Sequence, residues 1–205
     1  ALRILEQHYG KEHPKVAVTL SNLGDVHGRL GNHSLQKDLL EHALKIQEQH
    51  YGKDHPDAAK TLTNLGSMHK SLGDYRQSKD FLERALRIKK QHYGKEHAEL
   101  AVTLESLGNV HGSLGDYTKQ KDLLERALRI LEQHFGKEHP EAAVTLYNLG
   151  IAHGNLGDYS KQKDFLERAL RIQEQHYGKE HHEVGMTVFL LGVTGSSTTG
   201  KNIPK

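Results

Sequence analysis

Apolar residues recur along this chain at three- and four-residue steps, and the recurrence is itself repeated. After Pro14, the residues Ala17, Leu20, Leu23, His27 and Leu30 fall on one side of a helical wheel. Such a stripe is what a helix with one buried face requires. A second stripe follows, with Leu40, Ala43 and Leu44 on its inner side. Between the two stands Gly31, suited to the left-handed residue that ends a helix. Next comes Asn32, whose side chain can accept an orphan amide hydrogen of the following helix. A short Gly-Lys-Glu-His-Pro connector precedes the first stripe, and its proline suits a first helical turn, where the missing N–H costs nothing. Each unit therefore reads as a helix A followed by a helix B.

The units repeat every 42 residues. One glycine series runs Gly10, Gly52, Gly94, Gly136 and Gly178, and a Leu-Gly pair ends at Gly24, Gly66, Gly108, Gly150 and Gly192. This frame predicts the end of a helix B over 1–9, full repeats over 14–51, 56–93, 98–135 and 140–177, a partial helix A over 182–192, and a flexible Gly/Ser/Thr tail over 193–205. Ala1 aligns with Ala43, so the chain opens inside a unit. One helix pair cannot hide both of its stripes, and neighbours must stack to share a core. The expected fold is all-α, an α-α superhelix built as a solenoid of antiparallel helix pairs.

Leu20, Leu23-Gly24 and Gly31 in helix A, with Leu40 and Ala43 in helix B, repeat in register through the chain. The pattern resembles tetratricopeptide (TPR) repeats in the 42-residue form of kinesin light chains and nephrocystin-like proteins, over nearly everything from Ala1 to Gly192. The resemblance implies a TPR solenoid whose concave groove holds a partner. Where the family favours a small residue early in helix B, this chain has Gln36, Ser78, Gln120 and Gln162, which predicts looser packing of A on B there. His33 stands where later units carry Tyr75, Tyr117 and Tyr159. Gly24, Gly66, Gly108 and Gly150 are expected to let helix B approach closely. Gly28, Gly112 and Gly154, on another side of helix A, are expected to keep the groove shallow or pliable.

Composition narrows the function. Of 205 residues, 35% are hydrophobic and 26% charged, with a net charge of +2, which offers no clustered basic face for nucleic acid. No apolar run approaches the ~18 residues of a membrane span. The absence of cysteine removes disulfides and thiolate metal sites and suits a cytoplasmic setting. Fourteen of the 17 histidines form three periodic series, beginning at His8, His13 and His27. The first two bracket the connector as a sparse pair without further ligands, which predicts packing and loop closure rather than a metal or other cofactor. The third lies in the inner stripe, where acid should charge it at a cost to stability.

A stretch near the end, Gly195 to Asn202, imitates a phosphate-binding loop. Asn202 occupies the place of the Ser/Thr hydroxyl, and Pro204 closes off a following helix. With no GxSxG and no asymmetric catalytic set, the chain is not expected to be an enzyme.

What remains is the face of helix A outside the buried stripe. Candidate groove residues are Asn22, Asp25 and Arg29 in the first unit, then Lys60, Asn64, Ser67 and Lys70, then Asn109, then Tyr147, Asn148 and Asn155. A side-chain amide both donates and accepts, and the resemblance implies that Asn22, Asn64 and Asn148 grip an extended peptide backbone, with Ser106 breaking the series. Arg29, Lys60 and Lys70 predict an acidic end of the ligand over the first two units, and Tyr147 with Ile151 an apolar residue farther on. The predicted function is a protein–protein interaction module, scaffold or adaptor. The alternative is an architectural spacer or the sensing array of a larger signalling protein. Partners are a protein or peptide, not nucleic acid or membrane. Weak self-association is expected through the incomplete C-terminal repeat, where Val188, Phe189 and Leu190 lack a helix B.

Overall fold

The computed structural model describes residues 2–199, and their regular structure is helical throughout. α1 (Leu2–Tyr9) precedes the pairs α2 (Pro14–Arg29) and α3 (His33–Tyr51), α4 (Pro56–Ser71) and α5 (Tyr75–Tyr93), α6 (Ala101–Ser113) and α7 (Tyr117–Phe135), and α8 (Pro140–Asn155) and α9 (Tyr159–Tyr177). α10 (His182–Thr199) ends the series. The chain forms two compact units, Ala1–Val110 and His111–Lys205, with the boundary inside α6. In the first unit α2 packs on α3, α3 on α4 and α4 on α5; in the second, α7 packs on α8, α8 on α9 and α9 on α10.

The starts of the A helices are set by histidine. The Nδ1 of His13, His55, His97, His139 and His181 accepts the backbone N–H two residues on, at 3.2 to 3.4 Å. Each of these rings also stacks on the aromatic residue four positions earlier, as His55 does on Tyr51 at 4.4 Å. Proline follows the capping histidine in α2, α4 and α8. In the third connector Ala98 replaces it, and the chain makes a 3₁₀ turn over Ala98–Leu100 before α6 begins. Without the ring that fixes φ, the first turn there is free to tighten.

The A-to-B corners turn on Gly31, Gly73, Gly115 and Gly157, with φ of +75 to +81°. At the second corner the Asp74 N–H donates to the His69 carbonyl. Asp74 then serves both helices: Oδ1 accepts the Gln77 N–H and caps α5, while Oδ2 lies 3.5 Å from His69 Nδ1 on α4. His111 with Asp116 and His153 with Asp158 repeat the arrangement.

The core fills as the stripes require, with one correction. Ala17, Leu20, Leu40 and Ala43 are buried, but Leu30 is 73% exposed and Leu72, Leu114 and Leu156 are exposed too. These leucines stand at the C-terminal caps, where the chain is already turning away from helix B. Neighbouring repeats are tied outside the core as well: Arg84 Nη2 reaches Glu48 at 2.6 Å and donates to the Lys53 carbonyl, and Arg168 does the same with Glu132 and Lys137.

Both glycine series have packing reasons. A Cβ on Gly66 would lie 2.5 Å from Leu82 Cγ, and one on Gly150 would lie 2.7 Å from Leu166 Cγ, so helix B does approach closely there. The second series corrects the expectation of a pliable groove and of loose packing. The side chain of Gln120 lies on Gly112 and that of Gln162 on Gly154, where an added Cβ would sit 2.5 and 2.6 Å from the Oε1 atoms. Gln36 covers Gly28 in the same way. The long amide takes the place of the missing side chain instead of holding the helices apart. In the second repeat both partners change together: Lys70 replaces the glycine, and the small, fully buried Ser78 replaces the glutamine and donates to the Gly66 carbonyl at 2.7 Å.

The last helix also departs from expectation. α10 runs through Gly192 to Thr199, because Gly192 holds the mid-helix place of Gly24 and not a stop. The expected tail is therefore helical over 193–199, and Gly195–Thr199, the front of the phosphate-loop imitation, form helix rather than loop. Gly200–Lys205, with Lys201 and Asn202, lie outside the described residues. Val188 and Phe189 are exposed on α10, and Leu190 is half-buried. Among the described residues, no helix is long and apolar enough to cross a membrane, and no group of three metal-ligating side chains comes together.

Candidate functional site

The candidate residues all stand on helix A and all retain exposure, because the opposite stripe of each helix is consumed by packing on helix B. In the first unit Asn22, Arg29, Lys60 and Ser67 are exposed, while Asp25, Asn64, Lys70 and Asn109 are half-buried. Two cavities gather most of them. One of about 220 Å³ is lined by Val18, Asn22 and Lys60 from helix A positions, together with Gln47, Lys89, Tyr93 and Glu99. The other, about 300 Å³, brings Asp25, Arg29 and Ser67 together with Gly28, His33 and Gln36.

Asp25 is the electrostatic centre of this face. Burial raises its pKa above the ordinary carboxylate value, and the charges of Lys60 and Arg29 and the amide of Asn64 draw it partly back. A carboxylate kept partly dry costs stability unless neighbouring charges and donors offset it. Asn64 Nδ2 is buried without a hydrogen-bond partner of good geometry. Lys70 lies outside both cavities, and burial alone lowers its pKa.

Sequence reasoning missed the helix B contribution. Lys89 on α5 is only 6% exposed, and its ammonium donates to Thr103 Oγ1 at 2.9 Å. Burial lowers its pKa most; Glu99 raises it and Lys60 lowers it further. Around it runs a set of hydroxyl contacts between successive A helices: Ser21 with Thr61 at 2.8 Å, and Thr63 with Thr103 at 3.3 Å. The signal was present in the repeat frame, where the same place carries Gln47, Lys89, Leu131 and Gln173. Lys89 is the one charged residue in an otherwise uncharged register.

In the second unit the expected residues separate. Tyr147 is half-buried and packs against the core cluster around Leu146 and Leu149, so it is more a core residue than a groove contact. Asn148 is half-buried. Asn155 lines a cavity of about 230 Å³ with Ile151, Gly154, Tyr159, Gln162, Leu190 and Val193. Asn22 and Asn64 thus occupy different settings within the first unit, and Asn148 belongs to the second.

A tetratricopeptide-repeat family model matches residues 37–91 and 99–175, and a second matches 16–57. No curated protein matches the chain in sequence. Among solved structures, BtubC (BKLC) from P. vanneervenii superposes with a TM-score of 0.82 at 20% identity, over 96% of this chain and 78% of that one. A putative kinesin light chain from Podosopora anserina, with nearly identical TPR-like repeats, gives 0.77 at 20% identity over 92% and 90% of the two chains. A Rap protein complexed with Competence and Sporulation Factor gives 0.72 at 20% identity, over 87% of this chain and 48% of its own. At such identities the likeness carries the fold, and the family models carry the kinship. With its 42-residue helix pairs, glycine corners and A-on-B packing, the chain belongs to the tetratricopeptide-repeat family.

Proposed function

We propose that this chain is a cytoplasmic protein-interaction module that holds an extended peptide or partner segment against the helix A faces of its repeats, in a scaffold or adaptor role. The observation that carries the reading is the partly buried Asp25 with Asn64, Lys60 and Arg29 around it, beside two cavities, on a face that packing leaves free. Polar groups held in concave settings without full satisfaction are what a polypeptide ligand can complete. The Rap protein, which shares the fold, is seen complexed with a factor, and that supports the use of such repeats for capture.

The test is direct. Peptides selected from a random display library on the whole chain are labelled and titrated by fluorescence anisotropy. Asn64→Ala with Asn148→Ala is expected to weaken binding by about tenfold or more, at ~1 kcal/mol for each lost hydrogen bond, with the helical circular dichroism unchanged. Unchanged affinity in the double variant removes the asparagine groove from consideration, and a library that yields no binder leaves the chain as a spacer or sensing array.

A further inference from the structure

The same glycine–glutamine step opens a cavity in each unit, and the two differ in character. In the first unit, Asp25, Arg29 and His33 line the space, and the Gln36 amide is engaged, with Oε1 3.2 Å from His33 Nδ1. In the second unit the corresponding places carry Ile151, Asn155 and Tyr159, and Leu190 and Val193 from α10 complete the wall. Tyr159 stands where His33 stands, and Gln162 loses that partner. Its Oε1 is buried without a hydrogen bond, although the side chain is only 5% exposed and lines the cavity. A buried carboxamide oxygen left unsatisfied costs stability, and rotation of the carboxamide can present either its donor or its acceptor to the space.

We infer that the cavity of Ile151, Tyr159, Gln162 and Leu190 is an anchor pocket for one aliphatic or single-ring aromatic residue of a partner peptide, whose flanking peptide group pairs with the Gln162 carboxamide. The volume of about 230 Å³ exceeds the ~150 Å³ of a cavity that holds benzene. No charged residue lines the space, so a charged side chain would find no counter-charge there, whereas Ile151, Leu190 and Val193 offer apolar contact. The orphaned amide selects against a ligand that offers only hydrocarbon. The inference rests on the peptide-binding reading above and assigns one contact within it.

N-acetyl-leucinamide and N-acetyl-phenylalaninamide carry such a side chain with its peptide groups and serve as probes against the whole chain. Titrations are followed by NMR through the Gln162 side-chain amide and the Ile151 and Leu190 methyl groups. Saturable shifts at millimolar probe are expected, at least fivefold weaker with N-acetyl-aspartamide. Gln162→Leu and Ile151→Asp, each checked for fold by circular dichroism, should each weaken the response about tenfold. Equal responses to the apolar and acidic probes, unchanged titrations in both variants, or no response because water alone fills the space would overturn the assignment. If these fail while Asn64→Ala with Asn148→Ala still weakens library-peptide binding, the anchor falls and the groove stands; if both fail, the groove reading falls too.

Discussion

A glycine and a glutamine eight positions apart decide how closely each helix pair can lie, and the second repeat solves the same problem with lysine and serine. Gly112 gives the buried Gln120 amide its room. Lys70 and Ser78 exchange the volumes, with the small residue on helix B and the long one on helix A. Both halves of the exchange stand in the sequence at one repeat offset, yet each glutamine taken alone looks like an obstacle to packing. Only the contact shows that the pair is one unit. Gly112→Lys is therefore expected to destabilise by about 1–3 kcal/mol through overpacking, and Gln120→Ser in the same chain should restore most of it. Urea denaturation of the two single variants and the double measures the coupling; additive losses would mean that the glycine and glutamine act separately.

Among the elements, helix starts were legible and their chemistry was not. Proline after histidine correctly located the beginnings of α2, α4 and α8. Histidine lies outside the usual capping set of Ser, Thr, Asp and Asn, so its periodic recurrence read as loop closure. Five ring nitrogens in fact do the work of those side chains. The first start is the instructive one, since α2 has no acidic residue in its opening turn and Lys15 stands beside the cap. His13→Ala should cost about 1 kcal/mol by leaving the Lys15 N–H without its partner. His13→Asp keeps an acceptor, adds negative charge at the helix N-terminus and faces Lys15, and should be more stable than the parent by ~0.5 kcal/mol. Thermal melts of the three chains at neutral pH order them; an aspartate variant no better than alanine would show that the ring stack on Tyr9, and not the cap, holds the connector.

For the whole molecule, repetition made the fold readable and concealed the site. Much of what recurs every 42 residues is architecture, which is why helix order, glycine corners and the buried imidazoles could be foreseen. The candidate faces differ from repeat to repeat in what fails to recur: Lys89 stands among glutamines and leucine, and His33 among tyrosines. Such departures acquire meaning only from their neighbours in space, and no spacing rule supplies those. The buried histidines belong to the recurring part, and one of them, His153, ties the stability of the molecule to pH. His153 is 4% exposed, stacks on Phe165 at 5.2 Å and lies 3.5 Å from Asp158. Burial lowers its pKa below the ordinary 6.5; Asp158 and Glu125 pull it upward and Lys161 and Lys121 push it down, without reversing the shift. An unfolded chain therefore takes up the proton first, so the contribution of His153 is complete above pH 6.5 and declines as pH falls from there toward the folded value. Asp158 acts in another window. Its pKa is lowered chiefly by the Lys161 backbone N–H, so its contribution is held above 3.8 and lost only below that. Melting followed by circular dichroism should thus fall between pH 7.5 and 5.5, ahead of any carboxylate effect. His153→Phe, which keeps a ring against Phe165 but cannot be protonated, should fall less over the same interval. A parent chain with a level melting temperature across that range, or a variant with the same slope, would separate the His153 imidazole from the acid response.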